Sequence, residues 1–357
     1  MANKIEKARG IAIFSGEETL SVLAGRELEI VEVVQRAYEA HSRGKSSLPH
    51  STFLRFPEAE QNRIIALPAF LGDTFQVAGM KWISSFPNNP SANGIERASA
   101  VVVLNSMETG RPQALIEGSV ISARRTAASA ALGARWLHDG PTAHVGIIGC
   151  GLINFEITRF LLATLKGIES ILVFDKDVEK ARQFKNSCRT LSTQLEVDIA
   201  PDVENVFADC SLIALATTAG TPHIQQLPPS QAPRTILHIS LRDFSPEIII
   251  GSDNVVDDVD HVCRANTSLH LAELATGKRD FIRCSLGDVL LGHAEPRNKN
   301  HETTIFSPFG LGILDIALAD FVFQQGIAKG MGTMIESFFP LAWTERAEQP
   351  LEKHASG

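Results

Sequence analysis

Gly149 and Gly151 carry the strongest chemical signal in the chain. They close a short apolar run, residues 144–148, and open a stretch in which Ile153, Ile157, Phe160 and Leu161 recur at helical spacing. A strand that passes through a glycine turn into a helix is a phosphate-binding element. The first glycine makes the turn, and the second lets the backbone at Leu152 and Ile153 approach a pyrophosphate at the positive helix N-terminus. Asn154 replaces the third glycine of the full fingerprint, which predicts slightly looser packing of helix on strand. Asp175 ends the next strand, close to the ~20-residue offset at which a carboxylate reaches the adenosine ribose. An acid there repels a 2′-phosphate, so NAD is expected in preference to NADP. Thr217 and Thr218 follow one later strand and Ser240, Leu241 and Arg242 another, at carboxyl ends where open α/β sheets bind ligands. The threonines serve equally well as turn caps.

A second set of residues suits an anionic substrate. Lys81 lies within an otherwise apolar strand, where burial is costly unless an anion meets it; the alternative is an edge strand facing water. Arg124 and Arg125 interrupt an Ala-rich helix. Adjacent helical side chains diverge by about 100°, so only one of the two faces a shared pocket, and periodicity does not say which. Asp243, just beyond the strand at 235–239, would take a proton from a substrate amine if a dry site raises its pKa; its bland alternative is a loop or capping acid. Arg55, Arg97 and His50 are further candidates with equally plausible structural roles.

These residues require a scaffold, and the chain is long enough for two cores: 357 residues, 44% apolar. Residues 18–42 read as one amphipathic helix, followed by short β-type runs at 51–56, 63–67, 76–83 and 98–104 and a helix over 118–137. From residue 144 strands alternate with helices, the pattern of a covered parallel sheet. We therefore expect an α/β protein: a Rossmann-type doubly wound parallel sheet over 139–302, plus an α+β N-terminal domain, 1–138 with 303–357. The last dozen residues read as a frayed polar tail. A net charge of −8 without a basic cluster argues against nucleic acid, and no apolar run is long enough for a membrane span or a signal peptide. Five scattered cysteines and eleven scattered histidines signal neither disulfides nor a metal site. A cytoplasmic protein without metal is expected.

Taken together, several motifs resemble the ornithine cyclodeaminase and mu-crystallin family. They are Met80-Lys81-Trp82 with Phe86-Pro87-Asn88, the run from Asn105 to Pro112, Arg125 to Ala128, the Gly149 turn, and Thr304 to Gly310 leading to Asp315. The wording from Gly149 to Glu156 and from Ser240 to Glu247 is similar to the branch that makes L-2,3-diaminopropionate for siderophores and peptide antibiotics. Cyclodeaminases differ at both loops. Their early-strand arginine falls here near Phe53, and their glutamate falls within Ile64-Ile65-Ala66. The resemblance implies a homodimer built through the N-terminal sheet, with substrate between the two domains. It carries a substrate lysine onto Lys81, an arginine onto Arg125 and a catalytic aspartate onto Asp243. The implied reaction is the NAD-dependent oxidation and hydrolysis of N-(2-amino-2-carboxyethyl)-L-glutamate, with Arg55, Arg97 and Arg242 available for its carboxylates. Rival readings are ornithine cyclodeaminase, ketimine reductase, alanine dehydrogenase, and a crystallin-like protein that binds the dinucleotide without turnover.

Overall fold

Alternation of apolar and polar residues builds one sheet and continuous apolar runs build another. The computed structural model describes residues 9–230 and 232–344; the tail read as frayed lies outside the described residues. The first sheet holds β1 (Ile11–Phe14), β2 (Ser46–Ser47), β3 (Thr52–Phe56), β4 (Ala59–Leu71), β5 (Val77–Ser85), β6 (Ala98–Asn105) and β7 (Pro112–Glu117). The second holds β8 (His144–Ile148), β9 (Ser170–Phe174), β10 (Glu196–Ile199), β11 (Leu212–Leu215), β12 (Arg234–His238), β13 (Asp253–Val256), β14 (Ile282–Ser285) and β15 (Thr303–Ser307). β16 (Thr333–Ile335) returns to pair with β1.

The first sheet runs β16-β1-β7-β6-β5-β4-β2, with β3 on β4. Its inner face places Phe14, Ile116, Val102, Lys81 and Leu67 in one row across the strands. The helices Gly118–Leu137 and Gly312–Ala328 cover that face, so Lys81 occupies a position that apolar side chains hold on either side. The outer face carries Leu54, Ile64, Met80, Trp82, Val101 and Val103, and Leu54, Trp82 and Val101 are exposed.

The second sheet is parallel throughout, in the order β10-β9-β8-β11-β12-β15-β13-β14. Chain order reverses on the two sides of β8, which opens a crevice at its carboxyl end. Among the described residues no helix is long and apolar enough to cross a membrane.

Two expectations need correction. The single helix over 18–42 is two helices, Gly16–Leu23 and Glu27–Ser42, because the chain turns at Gly25 and a capping box of Ser15 with Glu18 starts the first. The return to the first domain does not begin at 303. Thr303–Ser307 pairs in parallel with β12 and β13, inside the second sheet, and the chain crosses back with the helix that starts at Gly312. A short apolar strand reads alike in either sheet; its hydrogen-bond partners decide.

Candidate active site

The turn after β8 is tightly specified. Gly149 has φ +91°, and a Cβ there would lie 2.4 Å from the Ala216 carbonyl oxygen, so no other residue fits without moving β11. Gly151 faces open space, and the helix Leu152–Thr164 begins there with no side-chain cap, leaving its first N–H groups free for a ligand. Asn154 does not loosen the packing as expected. It is fully buried and its amide donates to the carbonyls of Ile148 (2.8 Å) and Gly149 (2.6 Å), tying helix to strand by hydrogen bonds where a third glycine would do so by close approach. Asp175 accepts from Cys150 N (2.8 Å) and Asp177 N (2.9 Å), and its carboxylate keeps lone pairs for a sugar hydroxyl. Free helix N–H groups, an unobstructed second glycine and an anchored carboxylate fit a dinucleotide.

Lys81 does not face water. It is buried, its Nζ lies 2.8 Å from Asp315 Oδ2, and it donates to Ser122 Oγ at 3.1 Å. Arg125 meets the other oxygen of Asp315, Nε to Oδ1 at 2.9 Å. Burial lowers the Lys81 pKa most, the Arg125 charge lowers it further, and Asp315 only partly restores it, leaving it at about 8. The adjacent Arg124 points elsewhere, to Glu27 (3.3 Å) and Glu156 (3.0 Å), where it joins three helices. Of the two arginines, Arg125 therefore belongs to the lysine's network. Gly310, at φ +94°, makes room for it: a Cβ there would lie 2.7 Å from the guanidinium.

Asp243 is fully buried beyond β12 and receives three side-chain donors. Ser240 Oγ donates at 2.5 Å, His238 Nε2 lies 3.1 Å from Oδ2, and Thr217 donates to Oδ1. His238 is held in turn by Ser307, 3.2 Å from Nδ1. The site does not raise its pKa: burial pushes it up, but the donors outweigh burial and hold the carboxyl below its ordinary value. Leu241 in this loop has φ +67°, a strained conformation for a leucine, and its carbonyl accepts from Ser268 N at 2.7 Å. Thr218 is exposed beside Thr217.

Between the domains lies a cleft of about 190 Å³ lined by His50, Phe53, Arg55, His261, Ala265 and Phe309. Arg242 reaches its edge, donating twice to the Ala265 carbonyl at 3.2 and 2.8 Å. Arg97 donates to Ser85 at 2.9 Å on the inner face of the first sheet. Among the described residues no carboxylate pairs with Arg55, Arg97 or Arg242. Sequence reasoning missed Asp315 as the partner of Lys81, and His238 and Ser307 behind Asp243. It also missed Arg63, which stands opposite Arg55 in the β3–β4 register.

Residues 18–226 match the model of the ornithine cyclodeaminase/mu-crystallin family. The chain belongs to that family. A curated member, N-((2S)-2-amino-2-carboxyethyl)-L-glutamate dehydrogenase of Staphylococcus aureus, is 29% identical over 313 residues, covering 86% of this chain and 93% of that protein. Among solved structures of the same fold, Thermococcus litoralis Δ1-pyrroline-2-carboxylate reductase, in complex with NADH and L-proline, superposes with a TM-score of 0.83 at 23% identity, over 90% of this chain and 99% of that one. An archaeal alanine dehydrogenase dimer with bound NAD gives 0.81 at 25% identity, over 91% and 99%. The ornithine cyclodeaminase/mu-crystallin architecture thus extends past the matched residues, through the second sheet and the returning helix.

Proposed function

We propose that the chain is an NAD-dependent dehydrogenase that converts N-(2-amino-2-carboxyethyl)-L-glutamate to 2-oxoglutarate and L-2,3-diaminopropionate. The observation that carries this reading is charge. Among the described residues Lys81, Arg55, Arg97, Arg125 and Arg242 pair with one carboxylate between them, Asp315, and the substrate brings three. The activity of the Staphylococcus aureus relative supports it.

In this reading the free N–H groups after Gly151 hold the pyrophosphate, Asp175 holds the adenosine ribose, and the loops at Thr217, Thr218 and Ser240–Arg242 border the nicotinamide. Bound NAD supplies the acceptor for the hydride that leaves the glutamyl α-carbon. Lys81 and Arg125 hold the α-carboxylate. Asp243, ionised at neutral pH, takes the proton of the secondary amine once a hydroxyl donor turns away, and a carbon–nitrogen double bond forms. Lys81 then orients the imine for water to add at its carbon. The carbon–nitrogen bond breaks, the nitrogen leaves protonated as the diaminopropionate amine, and the oxygen remains as the keto group.

We also read the first domain as the dimerisation unit. Its outer face presents Leu54, Trp82 and Val101 to solvent, and an archaeal neighbour is described as a dimer. A second reading, oxidation of a simple amino acid, is favoured by the Lys81–Asp315–Arg125 network, whose net charge of about +1 suits a single carboxylate. Initial rates of NADH formation with the tricarboxylate amine, L-alanine, L-proline and L-ornithine separate the two. Faster turnover of the first supports our reading, and turnover of only the others overturns it.

A further inference from the structure

A row of arginines crosses the inner face of the first sheet. Arg55 on β3 stands opposite Arg63 on β4, Arg63 stands opposite Ser85 on β5, and Ser85 accepts from Arg97 at the entrance to β6. Like charges directly opposite on adjacent strands are unfavourable. Arg55 and Arg63 are such a pair: among the described residues no carboxylate forms an ion pair with Arg55, Arg63 or Arg97, although the Glu96 charge acts on Arg97, and the buried Nε of Arg63 has no hydrogen-bond partner. Arg242 faces the row from the second domain. It is anchored on Ala265, in the wall of the cleft that Arg55 also lines, and two bonds to that carbonyl leave most of its donors unused.

The four guanidiniums lie within electrostatic reach of one another. Burial lowers the Arg63 pKa first, and the charges of Arg242, Arg97 and Arg55 lower it further. Arg242 is lowered by burial and then by Arg55, with the Asp243 charge opposing them only in part. A fold does not gain stability from such a cluster. It is a site prepared for anions, and the Lys81–Asp315–Arg125 network is separate from it, with its own internal carboxylate.

We propose that Arg63, at the centre of the row formed with Arg55 and Arg97 and faced by Arg242, is the residue that sets substrate specificity, binding carboxylates that a simple amino acid lacks. The proposal rests on the amine-oxidising reading of the cleft but adds a division of labour. Lys81 and Arg125 take the α-carboxylate common to all amino-acid substrates, and the Arg63 row selects a polycarboxylate.

The test uses the full chain loaded with NADH and citrate as probe, a tricarboxylate with no amine to oxidise, in wild type, R63M, R63K and R97M. Calorimetry should show citrate binding to wild type, weakened at least about tenfold in R63M and R97M and less in R63K. With the tricarboxylate amine, KM should rise by a similar factor in R63M while kcat stays within about threefold and NADH affinity is kept. Ligand-free R63M should melt no lower than wild type, because an uncompensated charge is gone. Unchanged citrate affinity in R63M and R97M would overturn the proposal, as would a fall in kcat at constant KM. If wild type binds citrate through Arg63 yet does not oxidise the tricarboxylate amine, the anion site stands and the substrate named under Proposed function falls.

Discussion

Lys81 and Asp315 meet at 2.8 Å beneath the first sheet, one from a strand and the other from the helix that returns late in the chain to cover it. The pair is fully buried and shared with Arg125. This contact fixes the lysine's direction, partly restores its charge against burial, and adds an ion pair to the apolar contacts that hold the returning helix on the sheet.

Asp315→Asn should therefore damage the fold more than the chemistry. It leaves two buried cations facing no anion, a situation that costs about 3–5 kcal/mol. Urea unfolding should show a large drop in midpoint with the slope retained, and an unchanged midpoint would show that the pair does not hold the helix.

The lysine's pKa of about 8 gives a signed pH prediction. Its charged form, the one that holds a carboxylate, is lost as pH rises through about 8, so kcat/KM should fall above that value. Stability moves the other way. The folded pKa lies below the unfolded value of about 10.4, so between the two the native state holds fewer protons, and this group's contribution improves as pH rises. Lys81→Arg should remove the limb near pH 8 from the rate profile, because arginine stays charged.

Asp243→Asn removes the charge that His238, Ser240 and Thr217 converge on. We expect kcat to fall by about 10²-fold or more, within the range for loss of an acid–base group. NADH affinity, followed by fluorescence, should change little; a fall in both would mean that the loop, not the proton transfer, was lost.

The two glycines should behave differently. Gly149→Ala forces a Cβ against the Ala216 carbonyl and should lower the melting temperature, whereas Gly151→Val sets its Cβ in open space and should fold normally while binding NADH poorly. Asp175→Ala should weaken NAD and narrow the preference over NADP, measured as the ratio of the two kcat/KM values.

Trp82→Glu places a charge on the open face of the first sheet, away from Lys81 on the opposite face. Sedimentation is expected to show a dimer for the unaltered chain and a monomer for this variant, and the same dimer for both would move the interface elsewhere.

The second domain was legible because its signals are local: the Gly149 turn, the apolar stripe after it and the acid at Asp175 lie within one strand–helix–strand unit. Lys81 stood out as a charge in an apolar strand. Its partner did not, because the network joins residues from opposite ends of the chain; Arg125 and Asp315 alone are 190 positions apart. Periodicity left Arg124 and Arg125 unresolved for the same reason, since it gives the divergence of two side chains and not what each meets; only the family resemblance pointed to Arg125. Arg63 was hidden because strand alternation assigns faces only once register is known. The direction of the Asp243 pKa was not legible in the sequence, because the three donors that oppose burial converge only in the folded loop.

A single-turnover reaction of the chain with NAD and N-(2-amino-2-carboxyethyl)-L-glutamate, with NADH followed by absorbance and both products by mass spectrometry, decides the reaction. NADH, 2-oxoglutarate and L-2,3-diaminopropionate are expected in equal amounts. NADH formed without diaminopropionate, or no NADH from this substrate while a simple amino acid is oxidised, would contradict this expectation.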